Sequence, residues 1–91
     1  MALIVHFHPR GMDQQKYAEV LHRLEAAGAG SPPGRLHHAC YGDKAALRVT
    51  DVYDTPQNFD RFGQTLAPIL TALGIELGKP DVIEVHNIIR G

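Results

Sequence analysis

The sequence predicts an α+β fold with elements in the order β-α-β-β-α-β, and three observations carry that reading. Strand patterns occur in four stretches, 3–8, about 35–41, 46–53 and about 82–89. The first is clearest: Leu3, Val5 and Phe7 alternate with Ile4, His6 and His8, the period of two expected of a strand with one apolar face. Two further stretches, after Asp13 and after Thr55, repeat apolar residues every three or four positions, as a one-sided helix does. Finally, the two middle strands are separated only by a short turn beginning at Gly42 and Asp43, which pairs them antiparallel.

Each element has its own start and stop. Pro9 and Gly11 close the first strand. Asp13 can cap a helix whose stripe is Tyr17, Val20, Leu21 and Leu24 and which ends near Gly28. The segment GAGSPPG, 28–34, is a connector: it lacks phosphate-loop spacing and precedes a strand, not a helix. Strand two, RLHHACY, places His37 and His38 on opposite faces, with the register open. Strand three, ALRVTDVY, sets Asp51 and Tyr53 on one face and Thr50 and Val52 on the other, and neither face declares itself the core. Thr55 and Pro56 are a hydroxyl cap and a first-turn proline. The stripe that follows is Phe59, Phe62, Leu66, Ile69, Leu70 and Leu73, with Pro68 expected to kink or restart the helix and Gly74 to stop it. In strand four Ile83, Val85 and Ile89 oppose Val82, Glu84, His86 and Ile88.

Two β-α-β halves in this order make the split, ferredoxin-like arrangement, a four-stranded antiparallel sheet with both helices on one face. With Leu3, Val5, Phe7, Ile83 and Val85 under the helices, His6, His8, Glu84 and His86 are expected together on the open face. That face also carries Ile4, Val82 and Ile88, too apolar for water and too polar for a dry core. A partner and a pocket are expected there.

Composition bounds the function. At 91 residues the chain is expected to be one domain, 1–91, with a thin core that a second subunit would extend. Nine Lys and Arg against ten Asp and Glu give no clustered positive charge for nucleic acid or an anionic membrane. The single cysteine, Cys40, excludes an intrachain disulfide and a thiolate metal cluster, and reads as a small buried hydrophobe. No segment has the pattern of a signal peptide or of a membrane span, so the expected location is the cytoplasm.

The stretches LIVHFHPRGMDQQKY, RLHHACYG, LRVTDVYDTPQNFDRFGQTLAPIL and EVHNII together resemble the dimeric α/β-barrel superfamily, in its antibiotic-biosynthesis-monooxygenase-like and stress-responsive branches. The resemblance spans nearly the whole chain and implies a homodimer in which two sheets pack their open faces into a barrel. It implies a small-molecule substrate or ligand, and, on the oxygenase side of the family, aromatic polyketide chemistry without a tightly bound organic cofactor. The asparagine–tryptophan–histidine set of the family's haem degraders has no counterpart, since the chain contains no tryptophan.

Six histidines supply the candidate chemistry. A neutral imidazole is a free base near neutral pH and can take a proton from a phenol-like substrate. His6 and His86 lead as catalytic candidates, with His38 behind them and Asp51 as a carboxylate that would orient a ring if buried beside it. His8, Tyr41, Tyr53 and Glu84 are the candidate substrate contacts. His6, His8, Glu84 and His86 form an alternative set for zinc or another transition metal, which would have to converge to about 2.0–2.2 Å of one ion. The third reading is a non-catalytic, stress-related or ligand-binding barrel whose histidines are hydrogen-bonded at the interface. His22 is expected in solvent, and Arg35 and Arg48 read as surface charges that could at most steer an anionic substrate.

Overall fold

The computed structural model describes residues 1–90. Its elements are β1 (Leu3–Phe7), α1 (Gln14–Ala26), β2 (Arg35–Asp43), β3 (Ala46–Tyr53), α2 (Pro56–Ala72) and β4 (Asp81–Glu84). The strands form one antiparallel sheet in the order β2-β3-β1-β4, the ferredoxin-like βαββαβ arrangement.

Both helices start at the expected caps. Asp13 Oδ1 accepts from the Lys16 N–H at 2.8 Å, and Thr55 Oγ1 accepts from the Asn58 N–H at 3.2 Å. Each satisfies a first-turn donor that has no partner within the helix. The α2 helix runs through Pro68 without a break. Pro68 is exposed, so the carbonyl one turn earlier, deprived of its intrahelical donor, can be hydrated and the helix does not have to restart.

The apolar face of the sheet is built from Leu3, Val5 and Phe7 of β1 and Leu47, Val49 and Tyr53 of β3. Val20 and Leu24 of α1 and Phe62 and Leu70 of α2 cover it, and Met12 and Ile75 close its ends. Tyr53 is fully buried, with Phe59 and Phe62 tilted against it at centroid separations of 5.3 and 6.2 Å. Gly34 has φ +83°, and a Cβ there would collide with the side chains of Asn58 and Asp54. That close approach lets the Gly34 carbonyl accept from the Asp54 N–H at 2.9 Å, tying the entry of β2 to the β3–α2 corner.

Strand four departs from expectation in length and in facing. It ends at Glu84 because β1, its only partner, begins at Leu3, and the last bond runs from the Val85 N–H to the Ala2 carbonyl. The register pairs Leu3 with Glu84, Ile4 with Ile83, Val5 with Val82 and His6 with Asp81. Directly paired residues share a face, so Val82 and Glu84 lie on the helix side and Ile83 on the open side, the reverse of the expected assignment. His86 lies beyond the strand. The four residues expected together, His6, His8, Glu84 and His86, therefore do not form one patch.

Candidate functional site

The centre of the helix-covered face is polar. Asp51, only 2% exposed, is the one buried charged residue among those described, and a carboxylate so placed needs hydrogen bonds to replace its water. It has them. His38 Nδ1 lies 2.5 Å from Asp51 Oδ1, and the Tyr53 hydroxyl donates to Asp51 Oδ2 at 3.3 Å. On the far side of the imidazole, the Tyr17 hydroxyl lies 2.7 Å from His38 Nε2, its ring stacked nearly parallel to the histidine at 6.1 Å between centroids.

Burial, then the neighbouring Cys40 and Asp51, push the Tyr17 phenol up to about 12, so at neutral pH it is a donor. Where the phenol donates to His38 Nε2, the ring proton of a neutral imidazole is on Nδ1 and is donated to Asp51. Burial first, and Asp51 second, likewise raise the Tyr53 phenol, which stays a donor to the carboxylate. Burial also pushes the Cys40 thiol up, so it sits beside Tyr17 as an un-ionised side chain.

Hairpin register assembles the site, and a β-bulge adds Arg35 to it. The β2–β3 ladder pairs Arg35 with Tyr53, then shifts register so that His37 pairs with Val52 and His38 with Asp51. The regular register from Asp43 and Ala46 onward puts His38 under the helices and His37 on the open face, and the shift brings Arg35 to the face of His38. Between sheet and helices lies a cavity of about 50 Å³, lined by Tyr17, Arg35, His38 and Asp51 and otherwise by apolar groups such as Met12, Leu24 and Phe62. This volume holds a few waters, whereas a cavity of about 150 Å³ is needed for a benzene-sized ring.

Of the expected site residues, His38, Asp51 and Tyr53 are brought together. Sequence reading missed Tyr17, which its helical spacing presents as a core residue, and assigned Arg35 to the surface. His6, His8 and Tyr41 lie elsewhere, in a groove with Arg48, Lys79 and Asp81. There Thr50 Oγ1 bridges His6 Nδ1 at 3.0 Å and the Tyr41 hydroxyl at 2.9 Å. Glu84 and His86 are exposed around a separate hollow beside Val85. Among the described residues no three His, Cys, Asp or Glu side chains are arranged to hold a metal ion. No described helix is long and apolar enough to cross a membrane.

No protein-family model matches the chain, and no relative is found among curated proteins. Its likeness is to solved structures. SnoaB from Streptomyces nogalater, a cofactor-independent oxygenase, superposes with a TM-score of 0.61 at 20% identity over 99% of this chain and 96% of its own. A candidate antibiotic biosynthesis monooxygenase from Chloroflexus aurantiacus gives 0.60 at 19% identity over 99% and 97%. Rv0793 from Mycobacterium tuberculosis gives 0.56 at 14% identity over 98% and 95%. At such identities the likeness is one of fold: the chain shares the βαββαβ fold of these proteins.

Proposed function

We propose that the protein is a small enzyme of the oxygenase or a related type, in which His38 acts as general base on an aromatic or polyketide-like substrate without a tightly bound organic cofactor. The carrying observation is the Asp51–His38 pair at the wall of the cavity, with Asp51 against Nδ1 and the opposite ring nitrogen, Nε2, against Tyr17. Asp51 orients the ring and stabilises the imidazolium that forms when Nε2 takes a proton. The apolar remainder of the lining suits a carbon skeleton. The likeness to SnoaB supports the reaction type by analogy of fold alone.

Tyr17 makes access conditional. Its hydroxyl occupies His38 Nε2, and its helix forms one wall of a cavity too small for a ring. Movement of α1 away from the sheet would both enlarge the cavity and uncover the base. The open face supports a homodimer: Ile4, Val52 and Ile83 lie there by register, and the exposed Leu36 and Ile88 extend the apolar area. In that assembly His6 and Tyr41, joined through Thr50, are interface groups.

The test is proton exchange. Phenols with an activated CH₂ group are incubated with the protein in deuterium oxide, with deuterium at the acidic carbon read by mass spectrometry and dioxygen uptake followed in parallel. Wild type should accelerate exchange, and His38→Gln should lose about 10²–10⁴-fold of that acceleration. Exchange undiminished in His38→Gln would remove His38 from the role of base. Its complete absence in wild type with the dimer intact would favour the non-catalytic barrel.

A further inference from the structure

Residues 35 and 38 are three positions apart, so a regular strand would put them on opposite faces of the sheet. The bulge makes Leu36 the extra residue, and Arg35 stands opposite Tyr53 while His38 stands opposite Asp51. Both side chains therefore share the helix-covered face, at successive positions along it, and both line the cavity.

The surroundings of Arg35 are unusual for a structural arginine. It is half-buried, and among the described residues no carboxylate lies within 4.0 Å of its guanidinium. Its Nη2 donates to the Gly30 carbonyl at 3.0 Å, and the guanidinium also acts on the Tyr53 hydroxyl. The guanidinium carbon sits 5.8 Å from the centre of the Phe62 ring, which fixes the group on an apolar surface without neutralising it. A guanidinium has five N–H donors. A partly desolvated one with most of them unengaged is suited to an ionised oxygen, above all to a carboxylate taken by two parallel bonds.

We infer that Arg35 is the anion-recognition residue of this cavity, and that its ligands are small planar molecules carrying an ionised oxygen, a carboxylate, enolate or phenolate, on an apolar body. The inference rests on the cavity being the site proposed above. It does not rest on His38 acting as a base. The two fit together chemically: an enolate or phenolate left by proton transfer to His38 would hold its charge on the same wall as Arg35.

Benzoate and benzamide, nearly identical in shape and different in charge, are the probes. Each is titrated into the full-length protein and followed by amide and side-chain NMR signals of Arg35, His38 and Phe62, in wild type, Arg35→Met, Arg35→Lys and His38→Gln. Wild type should bind benzoate at least about tenfold more tightly than benzamide, the margin of one charge-assisted contact. Signals of α1 and α2 should shift with it, because the ring needs more room than the cavity has. Arg35→Met should abolish the preference for benzoate over benzamide. Arg35→Lys, which keeps charge and stem, should lose most of the preference because a point charge does not reproduce the two-bond contact, and it carries the test if the methionine variant unfolds. His38→Gln should keep the preference. The inference is overturned if wild type binds the two probes equally, if it binds neither, or if the preference survives Arg35→Met. Loss of proton exchange in His38→Gln with the preference intact supports both claims separately. Persistent exchange there with the preference intact removes only the base.

Discussion

Asp51 and His38 face each other directly across the β2–β3 ladder, and the 2.5 Å bond between Asp51 Oδ1 and His38 Nδ1 is the polar centre of an otherwise apolar layer. Because Tyr53 also donates to this carboxylate, each of the two Asp51 oxygens faces a donor. An asparagine there would present an NH₂ group to one of those donors. The imidazole could relieve the clash only by moving its proton to Nε2, which consumes the lone pair that faces the cavity. Asp51→Asn should therefore leave the fold intact but cost about 1–3 kcal/mol, and lower exchange activity by roughly 10²–10⁴-fold. Nitrogen-15 NMR of the imidazole checks this, the expected result being a switch of the His38 tautomer. An unchanged tautomer with unchanged activity would deny Asp51 its orienting role.

The Tyr17 phenol supplies a pH dependence with a definite sign. Its folded value, raised chiefly by burial to about 12, exceeds its ordinary value of 10.0. Between those values the unfolded chain has released the proton and the folded chain has kept it. The contribution to stability is thus fully present below pH 10 and is lost as pH rises toward 12. Tyr17→Phe should flatten that part of the stability curve and remove one late step from the phenolate absorbance titration. It should also free His38 Nε2, so that acylation of the imidazole by diethyl pyrocarbonate becomes faster than in wild type. Equal acylation rates would mean that the hydroxyl does not cap the base.

The fold was legible in the sequence because every element carried its own period and cap: Asp13 and Thr55 start the helices where their side chains predict. The site was legible only as a set of candidates. His38 and Asp51 could be singled out, but their meeting depends on the hairpin register set at Asp43 and Ala46, and the bulge at Leu36 that adds Arg35 to their face leaves no periodic signature in RLHHACY. The facing of β4 was missed for a related reason. Val82, Ile83 and Val85 are all apolar, so local pattern cannot choose between faces, and the pairing of Leu3 with Glu84 decides it. Tyr17 occupies a stripe position of α1 that looks like packing, and only the partner of its hydroxyl distinguishes it.

Leu24 connects the core with the cavity, being 3% exposed and part of the lining. Leu24→Ala should destabilise the fold by about 2–5 kcal/mol, from lost burial and the added void. The same void lowers the opening that a ring requires, so benzoate should bind several-fold more tightly to the variant than to wild type once both are folded. Denaturant unfolding and the NMR titration measure the two effects on one sample. Weaker benzoate binding by a folded Leu24→Ala protein would place the ring elsewhere.

Val52 tests the open face. It pairs with Ile4 on one side and with His37 on the other, half-buried in the isolated chain, and it borders the hollow formed with Leu36, Ile88 and Ile89. If two copies meet through this face, the Val52 side chain is withdrawn from water in the dimer, and an aspartate there would bring two uncompensated charges into the interface. Desolvating an unpaired carboxylate costs several kcal/mol, more than a small interface can absorb. The fold of each chain should survive, because the core lies on the other side of the sheet. Val52→Asp should accordingly sediment as a monomer with unchanged far-ultraviolet dichroism at concentrations where wild type is a dimer. A variant that remains dimeric would move the interface off the sheet, and a wild type that is monomeric at all concentrations would leave this face to another partner.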